Sequence, residues 1–69
     1  MTKEQINWHI DKAEMAARNL DKMATACLQD SEMIARLGQD RVNLKAKQFR
    51  HRAELFRARA EEYRGWLSN

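Results

Sequence analysis

Few side chains in this sequence are of a kind that does chemistry. Cys27 is the single cysteine, and the histidines are His9 and His51. His51 and Glu54 stand at i and i+3, a spacing that puts both on one helical face as potential metal ligands. A carboxylate-bridged di-metal bundle, however, uses Glu-x-x-His in that order, repeated on facing helices with further inward glutamates. Here the order is reversed and unrepeated, so neither a metal nor any other cofactor is expected. Cys27 falls in an apolar seam, where it reads as a small hydrophobe rather than a nucleophile. The chain has no glycine-rich phosphate loop, no zinc spacing and no Ser/His/Asp set on an ordered cleft. The protein is therefore not expected to be an enzyme.

The remaining candidate chemistry is cationic. The 69 residues carry 13 Lys and Arg against 10 Asp and Glu, a net charge of +3. The balance is uneven: residues 1–39 hold five basic and six acidic side chains, residues 40–69 eight and four. A basic half of this kind binds nucleic acid, binds an acidic protein, or neutralises the acidic half of its own chain. Glu54, Glu61 and Glu62 interrupt the basic stretch, and apart from Trp66 no exposed aromatic is interleaved for base stacking. Nucleic acid is accordingly the second choice of partner.

These groups must be positioned by helices. Proline is absent, glycine occurs twice, and the Ala, Glu, Lys, Arg, Leu and Met content favours an all-α chain. From Val42 the apolar positions recur at alternating steps of four and three: Val42, Ala46, Phe49, Ala53, Phe56, Ala60, Tyr63, Leu67. A second series runs Ile6, Ile10, Ala13, Ala17, Leu20, Ala24, Cys27, Ser31, Ile34. Both are coiled-coil seams. Thr2 with Gln5 reads as a capping box, Gly38 as the helix stop and Asp40 as the next N-cap. The expected fold is an antiparallel two-helix hairpin forming one domain over 1–69, with helix 1 at about 3–36, a turn at about 37–40 and helix 2 at about 41–67. An interruption at Asp30–Ser31 is left open. The register that brings the seams together sets large residues against small ones in nearly every layer, predicting a filled core. It also sets Glu14 and Asp21 beside Arg50, Arg57 and Arg64 on one flank, and His9, Ala16 and Met23 beside Trp66, Arg59 and Arg52 on the other.

Several apolar side chains have no place in that hairpin: Trp8 and Met15 on the outer face of helix 1, Met33, and Leu44, Leu55 and Ala58 on helix 2. So small a scaffold needs help to be stable, and homodimerisation into a four-helix arrangement is expected. Ala16, Leu44 and Leu55 are the candidate dimer contacts. Trp8, Met15, Met23, Arg52 and Arg59 are the candidate partner-binding residues, since exposed Trp, Met and Arg are the types in which binding energy concentrates. No apolar run reaches the roughly 18 residues of a membrane span, and the unpaired cysteine suits a reducing, cytoplasmic setting.

The hairpin from Thr2 to Leu67, with its turn at Gly38, resembles the repressor-of-primer type of dimeric hairpin, which binds RNA loops. The whole chain, Pro-free and with surplus surface apolars at Trp8, Met15, Leu44 and Leu55, is also similar to small host-takeover proteins of temperate phages. One such type, in Pseudomonas phages, is a dimeric helical anti-activator that binds a quorum-sensing transcriptional regulator and a pilus-assembly ATPase. That resemblance implies a small inhibitor or adaptor in the host cytoplasm, blocking a host protein such as a transcriptional regulator by occupying its surface. The alternative is a dimeric hairpin that binds RNA or DNA through the basic face of helix 2.

Overall fold

A computed structural model describes residues 1–68. They form α1 (Lys3–Gln29), α2 (Ser31–Leu37) and α3 (Gln39–Ser68). Thr2 opens α1 as expected. Its Oγ1 accepts from the Gln5 N–H at 3.2 Å, and its own N–H donates to Gln5 Oε1 at 2.9 Å, so two early donors are satisfied reciprocally.

The single helix expected over 3–36 is instead two. Asp30 is extended, with φ −86° and ψ 96°. Its N–H still donates to the Cys27 carbonyl at 3.3 Å, closing α1, while its Oδ1 accepts from the Met33 N–H at 3.0 Å, opening α2. A short carboxylate that competes for backbone donors favours such a cap over a helix interior. The interruption left open at Asp30–Ser31 is therefore present, although the heptad runs through it to Ile34. Ser31, a seam position by spacing, is consequently exposed.

Gly38 makes the second break alone, with φ +90° and ψ 151°, a region that side chains with a Cβ rarely enter. Its N–H donates to the Ile34 carbonyl at 2.8 Å, and its carbonyl accepts from Val42 at 3.2 Å. One residue thus ends α2 and starts α3. Asp40 is therefore not the N-cap: it lies inside the first turn of α3, where its charge faces the positive end of the helix dipole.

α1 and α3 pack along their length in a rod of 50 × 14 × 12 Å. Ile6, Ile10 and Ala13 cluster with Ala60, Phe56, Tyr63 and Leu67, so the two helices are antiparallel and in the register the seams predict. The core itself is thinner than predicted. Ala13, Ala17, Ala24, Ala46, Ala53 and Ala60 are buried with Ile6, Ile10, Cys27 and Val42, whereas Leu20, Phe49, Phe56, Tyr63 and Leu67 are only half-buried. Small residues bring the helices close; the large ones lie at the edge of the contact, because two helices cannot enclose a phenyl ring from every side.

Candidate functional site

The two flanks of the α1–α3 seam differ. On one, Arg57 is paired with Asp21 and Arg64 with Glu14 and Glu61. Ala60 lies beneath these groups, between Glu14, Arg18, Arg57 and Arg64, and Ala46 similarly borders Asn43, Lys47 and Arg50 further along. Alanines lean toward this flank because each is four residues before the pairing position (60 to 64, 53 to 57), about 40° around the helix. Side chains as short as these let the charged groups meet across the seam.

The other flank carries the larger side chains. Phe56 forms a shallow, chiefly apolar groove with Leu55, Arg52 and Arg59, and the Arg59 guanidinium lies 6.0 Å from the centre of its ring, within cation–π range. Phe49 and Tyr63 are one heptad either side of Phe56 and share its lean. Ala16 and Met23, which the register of the seams sets beside Arg59 and Arg52, do not line this groove; the former is partly covered and the latter 47% exposed. The ion pairs among the described residues include neither Arg52 nor Arg59. Asp30, the nearest acidic residue by register at the α2 end, is committed to the Met33 amide.

Toward the open end of the hairpin the same flank becomes aromatic. His9 stacks on Tyr63 with ring centres 5.1 Å apart and planes 10° from parallel. Trp8 meets His9 edge-on at 5.0 Å, and Trp66 meets Tyr63 edge-on at 4.9 Å. Lys12 Nζ lies 5.5 Å from the centre of the Trp8 ring. The spacing of seam positions sets His9 beside Trp66, but the direct partner is Tyr63, with Trp66 on its far edge.

The candidate residues thus separate. Arg52, Arg59 and Leu55 share one groove, so a candidate dimer contact lies between two candidate partner contacts. Trp8 belongs to the aromatic run. Met15 (47% exposed) and Leu44 (57%) join neither cluster. Phe56 was missed as a surface residue because its seam position reads as core; its offset of three from Arg59 is the signal that it leans outward. Cys27 is buried with a free thiol, His51 is exposed, and among the described residues no group of three or more potential ligands is placed to hold a metal. No described helix is long and apolar enough to cross a membrane.

No family model, curated protein or solved structure matches the chain.

Proposed function

We propose that this hairpin is a non-enzymatic binding protein, an inhibitor or adaptor that occupies a functional surface of another protein. The observation that carries the reading is the open flank, where Leu55 is exposed and Phe56 half-buried beside arginines that have no partner in the ion pairs described, with Met23 exposed on α1. Exposed apolar surface rimmed by polar groups marks interaction sites, and Arg and aromatic residues are the types enriched there. With the resemblance to phage host-takeover proteins, the blocked protein is a host factor such as a transcriptional regulator.

Self-association belongs to the same proposal. Six of the ten buried apolar residues among the described ones are alanines, which contribute little burial each, and scaffolds of this size gain stability from a second copy. A four-helix dimer would cover exposed outer residues such as Leu44. Sedimentation should show a dimer at micromolar concentration, weakened by Leu44→Asp; a folded monomer at that concentration removes this part.

Capture from nuclease-treated host lysate tests the main reading. A protein retained at stoichiometric yield in raised salt is the expected result. Retention that disappears with nuclease, or falls steeply with salt across unrelated sequences, would favour the RNA- or DNA-binding alternative, which the free charge of Lys45, Lys47, Arg52 and Arg59 supports.

A further inference from the structure

We infer that the open flank is a docking site for an amphipathic helix with acidic edges. The inference rests on the binding-protein reading above and gives its partner a chemistry.

The shape of the site favours a helix. The hollow lies along one face of α3, and a partner helix packs on such a face by laying apolar residues at i, i+3 or i+4, and i+7 between its side chains. Arg52, Leu55, Phe56 and Arg59 have that same spacing on α3 and surround the hollow. The residues lining the hollow are all from α3; the register of the seams sets Met23 and Ala16 of α1 beside Arg52 and Arg59.

Charge selects the occupant. The basic side chains along this flank of α3 are Arg41, Lys45, Arg52 and Arg59, Arg41 sharing the heptad position of Leu55 and Glu62. Its carboxylate is Glu62, which takes part in none of the ion pairs described. The closed flank shows what these positions do when answered: Arg57 and Arg64 meet Asp21 and Glu14 of α1. On the open flank α1 offers His9, Ala16 and Met23 at the equivalent places, and no carboxylate. A second copy of the chain presented here would set Lys45, Arg52 and Arg59 against another like-charged set, which opposes association. A nucleic acid would satisfy the arginines but leave Phe56, Leu55 and Met23 against phosphate and sugar. An acidic-edged helix answers both the apolar floor and the cationic rim.

The test uses fluorescein-labelled model peptides of about three heptads with leucine at the seam positions, one carrying glutamate at the edges and one lysine. Anisotropy titration against the full chain should give binding of the glutamate peptide about tenfold tighter or more, as expected of charge-complementary edges. The R52E/R59E double variant should reverse that preference, and Leu55→Ala should weaken the glutamate peptide. Circular dichroism should report both variants as folded, since all three residues are exposed; R52Q/R59Q, which should abolish the preference, replaces the reversal if it does not fold. Equal affinity for the two peptides, or a preference that survives R52E/R59E, overturns the inference. So does tighter binding of a duplex RNA of similar length, or self-association that Leu55→Asp breaks. If lysate capture succeeds while the peptides fail to discriminate, only the docking site is lost; if both fail, the binding-protein reading goes with it.

Discussion

The two flanks of this hairpin are built from the same heptads and end in different states. On the Glu14–Asp21 flank, carboxylates face Arg57 and Arg64 above the seam alanines, so those groups close over the seam. Arg50, expected to join them, borders Leu28 and Asn43 instead and has no partner in the ion pairs described. On the Ala16–Met23 flank, phenylalanine or tyrosine lies beneath, and a small or apolar residue faces it. Neither charge nor volume is answered there. A two-helix protein can finish one flank and leave the other ready for a partner. Which is which depends on residues one position outside the seam, where a change from Asp to Met is invisible to the hydrophobic repeat.

The largest break in that comparison should come from the closed side. Ala17→Glu places a charge at a position 1% exposed, and should unfold the chain, as seen by loss of the helical dichroism signal; a burial penalty of several kcal/mol exceeds what so small a domain holds in reserve. A folded variant would mean the alanine contact is not the core. Phe56→Ala comes next. A fully buried phenylalanine would lose about 3–5 kcal/mol; at half burial the expected loss is about 2 kcal/mol by urea titration, scaled down from that range. A loss under about 1 kcal/mol would say that Phe56 serves binding alone.

Smaller effects distinguish the flanks further. Gly38→Ala should cost about 1 kcal/mol in thermal melts through its positive φ, although nothing lies within 4 Å of an added Cβ. A double-mutant cycle on Arg57 and Asp21 should give a coupling of about 0.2–1 kcal/mol, reduced by salt. Arg59→Ala should change stability by no more than about 0.5 kcal/mol, and coupling between Arg59 and any described carboxylate should be absent. If Arg59 proves as stabilising as Arg57, the asymmetry of charge is not real.

The seam, its register, the Thr2–Gln5 box and the paired flank were legible in the sequence because each rests on local spacing. The break at Asp30 was legible only as an alternative to a continuous helix, because a cap and a polar seam residue look alike until the Met33 amide is seen to choose the carboxylate. Asp40 looked like a cap for the converse reason: Gly38 already supplies the backbone reversal, so α3 begins before Asp40 is reached. Half-burial of Phe49 and Phe56 was hidden by the seam itself, which says that a residue faces the partner helix but not that the partner is wide enough to cover it. The groove between Arg52 and Arg59 follows from that second fact, and so could be located only in part.

Two chain breaks eight residues apart, at Asp30 and Gly38, isolate α2, and none of its seven residues is buried. A helix so short does not sustain itself. Its amide protons should therefore exchange with solvent through local opening, well before those of α1 and α3. A protease admitted there would leave two long helices still paired through their alanines, so the connection can be severed while the rod persists.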